Sequence, residues 1–453
     1  MFHNSGLAGV RSPLSQAAAD IWHAGVAAVD GRRAITDRVR IDGDDLWIEG
    51  QRIDGASVER LIVVGGGKAA GAMAAGWNAA VGDWRPAAGW VNVPDGGVAD
   101  AGPIHVHAAR PAGANRPTDA AVEGTRRMLR LIAEADPRTL VVFLVSGGGS
   151  ALITGPAAGV TVEEKATVAD RLLGRGVPIG EVNVVRSTLS DVKGGRMLGA
   201  VAHGRAISLI LSDVLGDDPA SIASGPTVPP IEPLGPRSET TLRRHELWGD
   251  LSEAAKRAVK RSDADVPTVP HDLHIVGSNP VAVDEAGSAA EAAGFDHLMH
   301  VERSTNQSAE DAGRIAAEFL IRSLRGEVTH NAFVGGGEPV VRLPKPQRCG
   351  VGGRAMQTTL AAYRTLRDAK LSDAEWDRLT FLAAGTDGED GPTEAAGAFI
   401  DADVHRHATA SDLDVDEHLA RCDAHTFFQR SSGLFVTGPT GTNVCDLRVA
   451  LVR

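Results

Sequence analysis

Cysteine is nearly missing from this sequence. There are three among 453 residues, Cys349, Cys422 and Cys445. The number is odd and no pair has metal-ligand spacing, so a disulfide framework is not expected and a reducing cytoplasm is the expected compartment. Basic charge is also short, with 46 Lys and Arg against 58 Asp and Glu. That deficit argues against non-specific nucleic-acid binding, which needs a basic footprint. A local basic cluster can still attract an anionic substrate. No run of about 18 uncharged apolar residues occurs, so no membrane span is expected. The N-terminus lacks a charged segment followed by an apolar core, so no secretory leader is expected. No Gly-x-Ser-x-Gly elbow is present, and no histidine stands beside an evident nucleophile. His105 and His107, and likewise His405 and His407, each place two imidazoles on one strand face, with no third ligand for zinc.

What is abundant is glycine, 53 residues, in company with alanine. Short apolar runs bounded by glycine recur along the whole chain: 61-LIVVGGG-67, 139-TLVVFLVSGGGS-150, 206-AISLILSDV-214, 332-AFVGGGE-338 and 379-LTFLAAGTDG-388. Each is too short for a helix and is followed by an Ala-rich helical pattern. Buried parallel strands with βα connections read this way, so the fold class is α/β. In such sheets ligands sit beyond the carboxyl ends of strands, where these glycines lie. The proline-dense stretch 225–241 suggests a boundary. The expected organisation is a first domain over 12–235, a connector over 236–269 and a second domain over 270–453.

In 65-GGGKAAG-71 the glycine spacing is a loose dinucleotide fingerprint without a convincing ribose acid, because Asp83 falls in a turn. It is not a Walker loop, since Lys68 is followed by alanines. An ammonium near a helix start can meet a transferred phosphoryl group. A surface lysine on a tight turn is the bland alternative. In the second cluster Gly147, Gly148 and Gly149 free the backbone to wrap an anion, with Ser146 and Ser150 as hydroxyl donors. Arg186, Lys193 and Arg196 bring positive charge, and Arg186 has the planar fork that suits a carboxylate or phosphate. Arg196 alone reads better as a helix face. Asp213 follows a strand and is a candidate base or Mg²⁺ ligand, whereas Asp217 and Asp218 suit turn caps. Further on, Glu338 and Arg354 stand in glycine-rich loops. Asp387 and Asp390 follow a strand, and Asn443 and Asp446 precede the last one. Such loops suit nucleotide phosphate and magnesium, with Asp387 as the second candidate metal ligand.

Taken in order, GGGKAAGAM, LVSGGGSALI, NVVRSTLSDVKGGRM, ILSDVLGDDPASIASGPTVP, GGGEPVV, GVGGR, AAGTDGEDGPTEAAGA and TGPTGTNVCDLRVALV resemble the motifs of the two-domain glycerate 2-kinases, whose C-terminal region is called MOFRL. The resemblance runs from about residue 15 to the end. It implies a Rossmann-like first domain with a mostly parallel sheet and a smaller α/β second domain, MOFRL covering about 330–450. It implies an active site in the inter-domain cleft, with ATP and Mg²⁺ as cofactors and a small hydroxy acid phosphorylated at its 2-hydroxyl. The family's loop lysine corresponds to Lys68 and its glycine-flanked arginine to Arg354. The expected partners are that acid and ATP, with no nucleic acid or membrane, in a monomer or homodimer. Two motifs depart from the family. Its R-K-H-L-S is here 186-RSTLS-190, and its G-G-R-N-Q-E is here 352-GGRAMQ-357. Smaller side chains at Ser187 and Ala355 lead to the expectation of a larger hydroxy acid. The rival readings are an NAD(P)H-dependent hydroxypyruvate reductase and a binding protein without turnover.

Overall fold

Each glycine-bounded apolar run forms a strand. The structure is a computed structural model describing residues 11–111, 116–261, 269–302, 307–344 and 349–453; residues 1–10, part of the segment read above for a leader, lie outside it. By contacts the chain divides into two units, Asp30–Val276 and Met1–Val29 with Gly277–Arg453. Among the described residues no helix is long and apolar enough to cross a membrane.

In the unit 30–276, a small antiparallel sheet comes first: β1 (Val39–Asp42), β2 (Asp45–Ile48) and β3 (Gln51–Ile53). The main sheet has six strands: β4 (Arg60–Gly66), β5 (Ala87–Pro94), β6 (Ile104–Arg110), β7 (Thr139–Ser146), β8 (Arg205–Leu211) and β9 (His271–Gly277). Their order is β6-β5-β4-β7-β8-β9, and the four pairings from β6 to β8 are parallel. This is the doubly wound Rossmann order, and its direction reverses between β4 and β7. All eight residues of β7 are buried, as a central strand covered on both faces requires. His105 and His107 share a face of β6, their rings tilted against Trp90. Helices Leu234–Arg244 and Glu253–Val259, expected within a connector, instead share a core with the 157–189 segment through Leu242, Leu247, Val259, Val182 and Leu189.

The other unit carries a second six-stranded sheet: β10 (His297–Val301), β11 (Ala332–Gly337), β12 (Leu379–Gly385), β13 (Gly397–Ile400), β14 (Leu434–Phe435) and β15 (Asp446–Val452). Only β10 and β11 pair in parallel; β15 lies antiparallel between β11 and β12, and β13 and β14 extend the antiparallel edge. The expectation of parallel strands therefore holds at 332 on the β10 side only, and fails at 379, where both neighbours run antiparallel. An unbroken apolar run reports two covered faces, not the direction of the neighbour. Helix Pro13–Ala28 belongs to this unit. Gly25 lies so close to helix Asn279–Ala292 that a Cβ there would stand 2.6 Å from Ala282 O. His405 and His407 lie on helix Ala402–Ala410, not on a strand.

Candidate active site

In the unit 30–276 the loops after β4 and β7 leave the sheet side by side at the reversal point. Lys68 N–H donates to Gly147 O at 2.8 Å and Ala69 N–H donates to Ser146 Oγ at 3.0 Å. Helix Ala70–Val81 gets no cap from Ala69, so the neighbouring loop's serine does that work. Ser146 is fully buried, which makes it a strut between the loops. The approach is close enough that a Cβ on Gly67, at φ +149°, would fall 2.1 Å from Ser146 Oγ. Gly148 is left-handed, and a Cβ there would lie 3.3 Å from Lys68 Cγ and 3.4 Å from Arg110 Nη2. Lys68 and Arg110, from the ends of β4 and β6, thus meet at the glycine turn. Arg110 is 3% exposed. Sequence reading missed it because an arginine before a proline is unremarked until the strand order is known.

The same turn is backed by a strained segment. Ala223, Ser224 and Gly225 have φ of +52°, +62° and +58°. Two non-glycine residues in that region cost about 1–3 kcal/mol each and persist only where neighbours hold them. Here Lys193 Nζ donates to Ala223 O at 2.8 Å, and Gly194 and Gly195 N–H donate to Ser224 O and Gly225 O at 3.2 and 2.8 Å. Ser150 Oγ is 2.9 Å from Ser224 Oγ. Lys193, expected among the anion ligands, is buried and braces this turn. Arg186 is half-buried at the end of helix Ile179–Thr188, with Asn183 Oδ1 at 3.4 Å. Asp213 is half-buried two residues past Leu211, which pairs with Ser146, so it leaves the same sheet edge as the glycine turn. Asp218 serves its own turn, accepting from Ala220 N–H and Ser221 Oγ.

The other unit holds Arg354, Glu338, Asp387 and Asn443. Arg354 opens helix Arg354–Asp368, and that helix end is pinned from the loop after β12. Asp390 accepts from Ala355 N–H at 3.1 Å and Met356 N–H at 2.7 Å. Glycine makes the approach possible, since a Cβ on Gly353 would stand 2.1 Å from Asp390 Oδ1. Arg354 Nη1 donates to Glu338 Oε1, and its Nε is 3.5 Å from Asp446 Oδ2. Burial works against the Arg354 cation, but Asp446 and Glu338 outweigh it and raise its pKa. Burial raises Glu338 and Asp446, and Asp387 adds to both. Burial, then Asp446, pushes Asp390 up to about 7. Asn443 is half-buried in a laced loop. On one side of it Thr442 Oγ1 donates to Val29 O, and on the other Val444 N–H donates to Thr386 Oγ1 at 2.9 Å. Asn279 Nδ2 donates to Val444 O at 2.8 Å and completes the lacing. Among the described residues no group of three His, Cys, Asp or Glu could hold a metal ion.

Known proteins resemble this chain in sequence and fold. A family described as a domain of unknown function, DUF4147, matches residues 17–260, and the MOFRL family matches 331–446. A D-glycerate 2-kinase of Thermotoga maritima is 35% identical over 359 residues, 78% of this chain and 81% of that protein. A crystal structure of a Thermotoga maritima glycerate kinase superposes with a TM-score of 0.79 at 30% identity, covering 97% of this chain and 99% of that one. The chain belongs to the glycerate kinase family. It is therefore a phosphotransferase of the kinase type, and ATP use follows from that class. An Agrobacterium vitis relative that carries a hydroxypyruvate reductase name is 34% identical over 399 residues, 87% of this chain and 99% of its own.

The segments 187–188 and 355–357, read from the sequence as departures from the family's motifs, face inward. Thr188 is buried, with Oγ1 2.9 Å from Ser238 Oγ, and Ser187 is buried beside it. Ala355 and Met356 are in the apolar core of their unit, and Gln357 Nε2 donates to Glu310 Oε1 at 2.9 Å. The expectation that small side chains here enlarge a substrate pocket gains no support from such positions. One further cation escaped the sequence reading. Lys165, on helix Val162–Gly174, is 6% exposed. Burial, then Arg186, pushes its ammonium down to about 7, with Arg196 adding to the effect and Asp191 opposing it. In the sequence it reads as one more solvated helix residue.

Proposed function

We propose that the protein transfers the γ-phosphoryl group of ATP to the 2-hydroxyl of D-glycerate or a closely related small hydroxy acid. The observation that carries this reading is the pair of glycine loops at the strand-order reversal, with Lys68 fixed against them through its own backbone. The substrate oxygen attacks the γ-phosphorus, the bond to the bridging oxygen of ADP breaks, and Asp213 takes the hydroxyl proton. Lys68 and Arg354 counter charge on the equatorial oxygens, and Arg110 adds to Lys68. Gly147–Ser150 hold an anionic group by their backbone, and Arg186 meets the carboxylate. Glu338, Asp387 and Asn443 serve the nucleotide. Magnesium, when bound, neutralises the β and γ oxygens. It would take one or two protein carboxylates. Asp387 and Asp213 are the carboxylates that would supply it. None of the three cysteines is in a disulfide, which supports a cytoplasmic protein, and we expect a monomer or homodimer.

The reductase reading has one observation in its favour. Asp95 directly follows β5, where a dinucleotide fold places its ribose acid. Against it, Lys68 stands just before helix Ala70–Val81, where the pyrophosphate would approach. The test is ADP release with ATP and Mg²⁺ over a panel of hydroxy acids that includes D-glycerate. Wild type should release ADP with one acid, and Lys68→Ala should lose about 10²–10³-fold in kcat, the usual effect of removing one charge-stabilising donor. NADH oxidation by hydroxypyruvate with no ADP from any acid would overturn the kinase reading.

A further inference from the structure

Four cations gather behind the glycine turn of the unit 30–276: Lys165, Arg186, Lys193 and Arg196. Arg186 and Arg196 lower the pKa of Lys165, and Lys165 and Arg186 lower that of Lys193, which places the four in one electrostatic neighbourhood. Two of the four have their donors in use. Lys193 Nζ is on Ala223 O, and Arg196 Nη1 is 2.8 Å from Ser187 O and 3.0 Å from Lys193 O. The other two do not. Lys165 Nζ is buried and makes no hydrogen bond among the described residues. Arg186 offers a five-donor fork, and among the described residues its one side-chain hydrogen bond is a long one, to Asn183 Oδ1 at 3.4 Å.

The acids nearby do not balance these charges. Asp191 opposes the shift of Lys165 but is taken by Arg261, which also donates to Ser190 O at 2.7 Å. Asp170 acts on Arg186, and Arg116 holds it. A buried ammonium without a partner is costly unless a ligand supplies one. The location suits a substrate group. Lys193 holds Ala223, and a Cβ on Gly149 would stand 2.8 Å from Ala223 Cβ, so Lys193 joins this cation cluster to the back of the glycine turn.

We propose that Lys165 and Arg186 together hold the carboxylate of the acid substrate, the guanidinium at the half-exposed mouth and the ammonium behind it. This rests on the kinase reading for the identity of the acid, but not for the existence of the anion site. The carboxylate supplies the missing acceptor for Lys165 Nζ. It also restores positive charge to an ammonium that its neighbours push toward the neutral form.

The test is calorimetric binding of D-glycerate to the full-length protein without ATP, at pH 8 in two buffers of different ionisation enthalpy. Wild type should bind and take up a substantial fraction of a proton. Lys165→Met, which removes a buried charge and keeps the stem, should fold, bind D-glycerate at least 10-fold more weakly, and take up none. ADP affinity should be equal in both proteins. An unchanged dissociation constant for D-glycerate overturns the proposal. So does equal proton uptake, weakening confined to ADP, or no D-glycerate binding by wild type. ADP release measured alongside separates the two readings. Turnover with unchanged KM for the acid in Lys165→Met leaves the kinase and removes this site. Lys165-dependent D-glycerate binding with no turnover does the reverse.

Discussion

The carboxyl of Asp390 offers a sharp test of how Arg354 is held. Asp390 is 3% exposed, accepts two backbone N–H groups and titrates at about 7 against 3.8 for an ordinary aspartate. The raised value sets the sign of the pH dependence. Below pH 3.8 both folded and unfolded chains carry the proton, and the folded state has its full stability. Between 3.8 and about 7 the unfolded chain gives up the proton while the folded one keeps it. Stability then falls by about 1.4 kcal/mol per pH unit, roughly 4 kcal/mol in all by pH 7, and levels off above. Asp390→Asn has no such slope. It leaves one of the two N–H groups without an acceptor, at about 1–3 kcal/mol. The two proteins should be about equal in urea midpoint stability near pH 5, and the variant should lead by about 1–3 kcal/mol near pH 7. Paired urea unfolding curves from pH 4.5 to 8 measure the difference directly. If the difference is flat with pH, Asp390 is ionised throughout. The helix end and Arg354 would then outweigh burial and Asp446, and the reasoning would fail.

Two further substitutions probe the loops. Ser146→Ala removes the buried acceptor of Ala69 N–H, so it should cost about 1–3 kcal/mol of stability and slow ADP release more than Ser150→Ala does; the reverse ranking would show that Ser150, not Ser146, is the strut. Gly353→Ala puts a Cβ 2.1 Å from Asp390 Oδ1 and should lower kcat by displacing the helix end that carries Arg354, whereas Gly180→Ala, with nothing within 4 Å on helix Ile179–Thr188, should leave kcat alone and raise stability by up to about 1 kcal/mol. Equal effects on kcat would mean that the glycine contact does not position Arg354.

What the sequence makes legible here is whatever is local to a strand end. The runs at 61–67 and 139–150 announce buried strands and glycine turns because consecutive glycines at such a place have few structural excuses. The family resemblance then supplied the chemistry. What stayed hidden depends on which elements meet. Ser146 reads as a hydroxyl donor for ligand until Ala69, 77 residues away in sequence, is seen to use it as a cap. Lys193 reads as an anion ligand until the strained Ala223–Gly225 turn is seen to need a brace. Lys165 in VEEKATVADRLLG has two glutamates beside it and looks solvated. It is buried only because helix Ile179–Thr188 and the helices of 234–259, expected to lead elsewhere, close a core with the segment that carries it. The direction of β15 is invisible for the same reason, since its side chains are covered on both faces whichever way its neighbours run. In this chain the candidate site residues are written near glycines. The residues that set the charge and rigidity of those glycine loops are written far away, as ordinary helix positions, and only the fold reveals them.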